Sequence, residues 1–317
     1  MKKISIVVPT FNEEENVQPL VEALVKELSD NLPNYDYEIL FIDNDSKDNT
    51  RPLLREICNK NNKVKCIFNL KNFGPDSSPY YGLLQATGDC AILFCADFQD
   101  PLEMIHKMVH EWENGDHKVI TAIKTSSEEN PVIRFLRTIY YKSIKRISNT
   151  EIIEHFTGFG LYDKQFLSVL RGLDDNEPFL RGLVAEFGTN RLSMPYQQLQ
   201  RRAGISHIKF FTLYDMVMRS VTSYTKIALR LCTFVGFITA FLSIVIGFFY
   251  IIRKLISWNS FDMGIAVVIA GIFFIGAVQL IFLGVMGEYI MSINRRMMKR
   301  PIVIESERIN FEEDKKQ

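Results

Sequence analysis

Two long apolar runs constrain the fold more than any other feature of this 317-residue sequence. Residues 231–252 and 263–287 contain no Asp, Glu, Lys or Arg. Each run exceeds the roughly 20 residues that a helix needs to cross the hydrocarbon core of a bilayer. Buried helices of soluble proteins rarely stay free of charge over such a length. The sequence therefore predicts a transmembrane hairpin at 231–290, joined by the short link 253–262.

The distribution of basic residues predicts the orientation of this hairpin. Lys226 and Arg230 precede it and a basic stretch at 295–300 follows it, whereas the link carries only Arg253 and Lys254. The positive-inside rule then places both ends, and the globular part before them, in the cytoplasm. Residues 291–317 are predicted to be a cytoplasmic tail. Its part after Ile304 is charged and is predicted to be disordered.

The overall composition excludes some classes of protein. The chain has 37 basic and 37 acidic residues, so no basic excess indicates a nucleic-acid-binding protein. Its five cysteines form no C-x-x-C pair, which favours a reducing compartment without disulfides.

Before the apolar runs, short apolar segments alternate with amphipathic helical patterns. This alternation predicts an α/β domain at 1–204 with a mainly parallel sheet and helices on both faces. Two basic amphipathic stretches, at 131–147 and 205–230, are typical of helices that lie on an anionic membrane surface. For the first stretch, a surface helix of the globular domain explains the pattern about as well.

Polar clusters follow four of the predicted strands. They are residues 9–13, 43–45, 72–74 and 97–100. Carboxyl ends of parallel strands meet at one edge of the sheet, where open α/β folds bind their ligands. No G-x-G-x-x-G motif follows the first strand, which excludes a dinucleotide site of that type. Acidic clusters suit a nucleoside diphosphate held through a divalent cation. Taken singly, Asp43 and Asp45 are more often turn residues.

The clusters also resemble a known family. Pro9-Thr10-Phe11-Asn12-Glu13-Glu14, Asp43-Asn44-Asp45-Ser46, Asn72-Phe73-Gly74, Ala96-Asp97-Phe98-Gln99-Asp100-Pro101 and Arg202-x-Gly204-x-Ser206 are similar to motifs of glycosyltransferase family 2. More narrowly, the chain resembles the polyprenyl-phosphate glycosyltransferases over nearly its whole length. The resemblance implies a GT-A-like domain with amphipathic interfacial helices and a carboxyl-terminal two-helix transmembrane hairpin.

The resemblance also implies a reaction and its residues. An oxygen of a polyprenyl phosphate, such as undecaprenyl phosphate, would attack the anomeric carbon of a nucleotide-sugar with inversion, in a bacterial inner membrane. Mg²⁺ or Mn²⁺ would assist. The implied assignments are Asp97, Asp100 and Arg202 for catalysis, Asp97 and Gln99 for the metal, Pro9, Phe11, Glu13, Asp43, Asp45, Asn72 and Gly74 for the donor, and Arg134, Arg137, Arg202 and Ser206 for the acceptor.

Three positions depart from the family pattern. Cys95 replaces the first carboxylate of Asp-x-Asp, and a neutral thiol is a poor ligand for a hard cation. Gly158-Phe159-Gly160 stands where bacterial relatives commonly carry Asp-Phe-Arg, so their candidate base is missing. Pro75 replaces the usual lysine after Asn-Phe-Gly. An anionic phosphate acceptor needs a base less than a sugar hydroxyl does.

Two other functions remain open from the sequence. One is a membrane transferase with a different lipid or saccharide hydroxyl as acceptor. The other is a non-catalytic membrane scaffold of the same fold, which need not bind a nucleotide-sugar. Glycines in both apolar runs suggest close helix contacts, which would allow a homo-oligomer.

Overall fold

A computed structural model describes residues 1–126, 153–200, 202, 227–256 and 265–311. The chain divides into two compact units, one with a large sheet and its covering helices and one with two long apolar helices. The amphipathic stretches predicted at 131–147 and 205–230 lie outside the described residues.

The first unit alternates strands and helices as the sequence predicts. In chain order its elements are β1 (Lys3–Thr10), α1 (Val17–Asn31), β2 (Asp36–Asp43), α2 (Thr50–Lys60), β3 (Val64–Asn69), α3 (Gly74–Gln85), β4 (Cys90–Leu93), α4 (Glu103–Asn114), β5 (Val119–Ser126), β6 (Phe156–Asp163), α5 (Lys164–Gly172), α6 (Leu180–Phe187), β7 (Arg191–Gln197) and, after the second unit, β8 (Glu305–Ile309).

The strands form one sheet of eight in the order β7-β5-β6-β4-β1-β2-β3-β8. The central pairs β1–β2, β1–β4 and β2–β3 are parallel, as is β5–β7. β6 runs antiparallel to both β4 and β5, and β8 runs antiparallel to β3. The predicted GT-A-like, mainly parallel sheet is therefore confirmed, with β6 and β8 as the antiparallel exceptions.

Burial on both faces explains why the central strands are so apolar. Ile4, Ile6, Val7 and Val8 of β1 are all fully buried, since helices cover the sheet on each side. Helix α1 packs one apolar face against the core through Val17, Leu20, Val21, Leu24 and Leu28. The rigid central strands fix the positions of the loops that leave their carboxyl ends.

At the amino-terminal ends of the central strands, the buried carboxylate of Glu38 in β2 contacts lysines of the neighbouring strands β1 and β3. Glu38 is only 2% exposed and contacts Lys3 at 2.9 Å and Lys65 at 2.8 Å. Ser5 and Thr87 also donate hydrogen bonds to it. Desolvation alone would raise the pKa of Glu38, but these partners outweigh it and lower the pKa to about 2. The buried charge is thereby compensated.

The last strand corrects one expectation from the sequence. The charged tail after Ile304 was expected to be disordered, but Glu305–Ile309 form β8 along the free edge of β3. Arg55 binds Glu307 at 2.7 Å, and Asn310 donates to the carbonyls of Cys58 and Val64 at 2.8 Å. Pairing along a strand edge satisfies backbone groups whatever the side chains, so a charged sequence still orders there.

The second unit contains α7 (Ile227–Ile256) and α8 (Ile265–Met297). Each has a stretch long and apolar enough to cross a membrane, at Cys232–Phe249 and Phe274–Met297, and neither stretch is buried by protein. Phe237, Ile244, Leu280 and Ile281 are more than half exposed. Such large apolar surfaces indicate a membrane-associated protein.

Candidate active site

All four polar clusters lie at or just after the carboxyl ends of parallel strands, and each contains one residue in the left-handed region. These residues are Asn12, Asp45, Gly74 and Phe98, with φ values of 56°, 68°, 91° and 58°. Asn, Asp and Gly adopt this conformation readily, whereas Phe does so rarely. Strained backbone of this kind concentrates at functional sites, and here it turns each chain sharply at the edge of the sheet.

The loops after β1 and β2 are joined to each other. The backbone N–H of Asn12 donates to Ser46 Oγ at 2.8 Å, and the backbone N–H of Lys47 donates to Asn12 Oδ1 at 2.8 Å. The backbone N–H of Glu13 donates to Thr50 Oγ1 at 2.8 Å. Glu13 also accepts a hydrogen bond from Asn16 at 2.7 Å. These bonds hold the Glu13 loop in one position.

Asn44 joins the loop after β2 to the loop after β3. Its Nδ2 donates to Asn72 Oδ1 at 3.0 Å and to the carbonyl of Gly74 at 3.1 Å. Its Oδ1 accepts from the backbone N–H of Phe73 at 2.9 Å and from Asn69 Nδ2 at 3.1 Å. The side chain is 7% exposed. Asn44 therefore fixes the turn that leads into α3.

The loop after β4 presents Asp97. Asp97 is 7% exposed, and its Oδ1 accepts from the backbone N–H of Gln99 at 3.2 Å. The backbone N–H of Arg202 donates to the carbonyl of Asp97 at 3.3 Å, and that of Leu199 donates to the carbonyl of Gln99 at 2.9 Å. The Arg202 guanidinium lies 5.2 Å from the Phe98 ring centroid. The segment after β7 thus packs on the Asp97 loop.

Asp100 stabilises this loop by accepting two hydrogen bonds. It is 3% exposed and accepts from the Tyr196 hydroxyl at 2.9 Å and from the backbone N–H of Cys95 at 3.4 Å. Burial raises the pKa of Asp100 to about 6, although both hydrogen bonds oppose the rise. Desolvation of the sulfur and then the nearby Asp100 carboxyl raise the pKa of the Cys95 thiol, although the residue as a whole is exposed. Cys95 is therefore a neutral thiol.

A cavity of about 290 Å³ opens where the loops converge. It is lined by Pro9, Phe11, Glu13, Gly74 and Asp97, five of the residues predicted for the donor and the metal. Other described lining residues are Thr10, Asn44, Pro75, Asp76, Ser78, Pro79, Leu93, Cys95, Ala96, Thr157, Gly158, Phe159, Leu180 and Arg181. The structure therefore brings residues from β1, α3, β4 and β6 together.

The predicted donor residues Asp43 and Asp45 flank Asn44 in the sequence but do not line the cavity, and both interact with Arg51. Arg51 Nε is 2.5 Å from Asp43 Oδ2, and Arg51 Nη2 is 3.6 Å from Asp45 Oδ1. Asp43 is fully buried, and within the described part of the chain its Oδ1 has no hydrogen-bond partner. Asp45 also contacts Lys47 at 2.8 Å.

The remaining predicted site residues have different positions. Asn72 accepts a hydrogen bond from Asn44, and Gln99 and Asp100 belong to the Asp97 loop. None of these three residues lines the cavity. Arg134, Arg137 and Ser206 lie outside the described residues. Their assigned roles stay predictions, as do those of the residues that the structure places.

Sequence reasoning missed several polar residues of the cavity wall, among them Asn44, Asp76 and Arg181. Asn44 lies within a motif that was recognised, but only its acidic neighbours were singled out. Asp76 and Arg181 carry no motif of their own, since Asp76 follows the Asn72 loop in α3 and Arg181 is the second residue of α6. Only the folded chain brings them to the same cavity.

The structure explains the two glycines that depart from the family pattern. Gly158 lines the cavity with φ of +108°, and an added Cβ would lie 3.4 Å from Leu93 Cδ2. At Gly160 an added Cβ would collide with the carbonyl oxygen of Ile120. β6 therefore supplies no charged side chain from these two positions.

The chain offers few ligands for a cation at this site. Among the residues that the structure describes, no three His, Cys, Asp or Glu side chains form a group that could hold a metal ion. Asp97 is one hard carboxylate in the cavity wall. Mg²⁺ is commonly bound by one or two carboxylates together with substrate phosphates, so the residues present fit a cation that arrives with its substrate.

Comparison with known proteins identifies the family. Residues 5–171 match the pattern described as Glycosyl transferase family 2, which is more than half of the chain. The chain belongs to glycosyl transferase family 2. This confirms the resemblance inferred from the motifs, and the chain is accordingly a glycosyltransferase.

Similar curated proteins cover nearly the whole of this family 2 member. The bactoprenol glucosyl transferase of Shigella phage SfX is 31% identical over 94% of this chain and 97% of its own length. The SfII prophage-derived bactoprenol glucosyl transferase of Shigella flexneri is 32% identical over 94% of this chain and 96% of its own length.

A solved structure with partial similarity is the mannosyltransferase PcManGT from Pyrobaculum calidifontis in complex with GDP-Man and Mn²⁺. It is 14% identical, with a TM-score of 0.49 over 72% of this chain and 64% of its own.

Proposed function

We propose that this family 2 glycosyltransferase transfers a sugar from a nucleotide-sugar to a polyprenyl phosphate at a membrane surface. The main support is that Glu13, Gly74 and Asp97 line one cavity in a chain that also has two apolar helices. Similarity to bactoprenol glucosyl transferases over 94% of the chain supports the same substrate class.

The nucleotide would bind where the loops after β1, β2 and β3 meet. Phe11 and Pro9 offer apolar surface to a base or ribose, and Asp43 Oδ1 is a buried acceptor with no hydrogen-bond partner among the described residues. A buried acceptor that lacks a donor costs free energy, which a bound base N–H or ribose hydroxyl would recover.

A divalent cation would be held by Asp97, with Mg²⁺ and Mn²⁺ as the candidates. When bound, the cation would offset the negative charge that grows on the departing diphosphate. The Asp97 loop is held by Arg202, Leu199 and Asp100, so its carboxylate is preorganised. Gln99 remains a proposed second ligand.

The acceptor would be a phosphate, and the reaction would invert the anomeric configuration. An oxygen of the lipid phosphate would form the bond to the anomeric carbon as the bond from that carbon to the diphosphate breaks, and the nucleoside diphosphate would leave with the electron pair. The anionic acceptor needs no general base, which agrees with glycines at 158 and 160. Arg202, beside Asp97, is the proposed contact to the acceptor phosphate.

The location follows from the same proposal. The hairpin would span a bacterial inner membrane twice, with the catalytic domain and both termini in the cytoplasm. Arg134, Arg137 and Ser206 would contribute to the acceptor site, and a homo-oligomer would be compatible with the glycines of the hairpin.

Lipid mass spectrometry tests this proposal. The purified full chain is incubated with a panel of nucleotide-sugars, undecaprenyl phosphate and either Mg²⁺, Mn²⁺ or EDTA. We expect undecaprenyl phosphate to gain the mass of one sugar when a cation is present. Sugar transfer only to a hydroxyl acceptor would contradict the proposed acceptor. A protein that neither transfers a sugar nor binds a nucleotide-sugar would be a scaffold.

Two variants test the roles of Asp97 and Arg202. Asp97→Asn should lower the rate at least about 100-fold, since a lost cation removes several kcal/mol of transition-state stabilisation. Asp116→Asn, at a 92%-exposed side chain outside the cavity, is the matched control. Arg202→Ala should raise KM for undecaprenyl phosphate without changing donor binding. Full activity of Asp97→Asn, or an unchanged lipid KM in Arg202→Ala, would remove the respective role.

A further inference from the structure

The charges around the cavity are unevenly distributed. Among its described lining residues, Glu13, Asp76 and Asp97 are acidic and Arg181 alone is basic. A substrate that carries phosphate would be repelled by this wall unless cations offset the carboxylates. A divalent cation at Asp97 would offset part of that charge, and Arg181 is positioned to offset more.

Arg181 lies in the first turn of α6 and lines the cavity. The neighbouring Phe179 and Leu180 are buried, at 8% and 6% exposure. The Arg181 guanidinium lies 5.0 Å from the Phe179 ring centroid, and the side chain is 28% exposed. A guanidinium placed against an aromatic ring loses little freedom when it binds a ligand.

The ion pair between Arg181 and Asp76 is loose. Arg181 Nη2 is 4.0 Å from Asp76 Oδ1, beyond hydrogen-bond distance. By contrast, Arg51 is 2.5 Å from Asp43 and Arg55 is 2.7 Å from Glu307. The guanidinium of Arg181 can therefore donate to a ligand without breaking a direct hydrogen bond to Asp76.

We propose that Arg181 is a substrate-binding residue whose guanidinium binds a phosphate group in this cavity. This inference rests on the proposed function, because that function supplies phosphate from two sources, the diphosphate of the donor and the phosphate of the lipid acceptor. Arginine binds phosphate through two parallel N–H donors, which lysine cannot reproduce.

The test compares Arg181→Gln, Arg181→Lys and Asp76→Asn in the full-length protein. Arg308→Gln is the matched control, because Arg308 also pairs with an acid, Glu305 at 2.5 Å, and lies outside the cavity wall. Thermal unfolding verifies that each variant is folded. Calorimetry with UDP and GDP in the presence of Mg²⁺ measures the donor arm, and KM for undecaprenyl phosphate measures the acceptor arm.

We expect Arg181→Gln to weaken binding at least about tenfold in one arm, the usual effect of losing a charge-assisted hydrogen bond. Weaker binding of UDP or GDP would show that Arg181 binds the diphosphate of the donor. A higher KM for undecaprenyl phosphate would show that it binds the phosphate of the acceptor. Arg181→Lys should retain part of the affinity. Asp76→Asn should leave affinity in that arm unchanged or raise it, because it removes a competing anion.

The outcomes separate this inference from the proposed function. The inference is wrong if Arg181→Gln keeps both the nucleotide affinity and the KM for undecaprenyl phosphate within twofold of the wild type. It is also wrong if Asp76→Asn loses as much affinity as Arg181→Gln does. In either case Arg181 is a structural partner of Asp76. A wild-type protein that binds UDP or GDP but transfers no sugar to undecaprenyl phosphate would contradict the proposed acceptor, while the nucleotide arm would still decide the role of Arg181. Binding of no phosphate ligand would overturn both.

Discussion

The side-chain amide of Asn44 donates a hydrogen bond to Asn72 Oδ1 at 3.0 Å, and this contact joins the ends of two neighbouring parallel strands. Asn44 follows β2, and Asn72 belongs to the loop that connects β3 to α3. The same amide reaches the carbonyl of Gly74, so one side chain determines where the Gly74 turn lies at the cavity. Asn44 is a positioning residue for the predicted donor site.

Asn44→Asp tests this role, because a carboxylate can accept hydrogen bonds but donates none when ionised. The variant loses both donors and places negative charge beside Asn72 Oδ1 and the Gly74 carbonyl. We expect KM for the nucleotide-sugar to rise about tenfold with a smaller change in kcat. Asn59→Asp on the exposed face of α2 is the control. Equal losses in kcat and stability without a change in KM would indicate a purely structural residue.

Cys95→Asp restores a carboxylate next to Asp97 in the cavity wall. Because hard cations prefer oxygen ligands, we expect Mn²⁺ affinity to increase several-fold and activity to be kept. Calorimetric titration of Mn²⁺ in the presence of UDP measures this directly. Cys95→Ser is the neutral control and should resemble the wild type. Collapse of activity in both variants would show that the thiol itself is required.

Glu38 makes folding stability depend on pH. Its folded-state pKa of about 2 lies below the ordinary value of 4.5, so its ionised form stabilises the fold at neutral pH. That contribution is complete above about pH 4.5 and is lost as the pH falls toward 2. Glu38→Gln should cost about 3 kcal/mol at pH 7, because it leaves Lys3 and Lys65 without their buried partner.

Thermal or denaturant unfolding at several pH values measures the Glu38 contribution. The difference between wild type and Glu38→Gln should shrink as the pH is lowered from 4.5 to 2. Glu56→Gln is the control, since Glu56 forms an exposed pair with Lys60 and should change stability little. A difference that stays constant with pH would contradict the buried ion pair.

Truncation tests the role of β8 in covering the edge of β3. Removing residues 302–317 should expose the backbone groups of β3, lower the melting temperature and promote aggregation. Removing only 312–317 leaves the whole of β8 and should behave like the full chain. Light scattering and thermal unfolding compare the two truncations. Identical stability would show that β8 contributes nothing to the sheet.

The sequence allowed most of the fold to be predicted because its signals are local. Apolar periodicity indicated the elements around β1, β2, α1 and α4, and their alternation indicated a mainly parallel sheet. The sequence did not reveal β8, because a charged segment that pairs along an edge strand leaves no apolar pattern. Its pairing with β3 depends on residues more than 200 positions away in the chain.

For the candidate site, the sequence determined which side chains follow the strand ends, since motif order and strand direction bring them to one edge. Only the tertiary structure decided which of them line the cavity. Asp97 and Glu13 do, whereas Asp43 interacts with Arg51, and Arg181 enters from a helix without a motif. The physical reason is that strand periodicity is encoded locally, while the partner of a charged side chain is set by packing between distant segments.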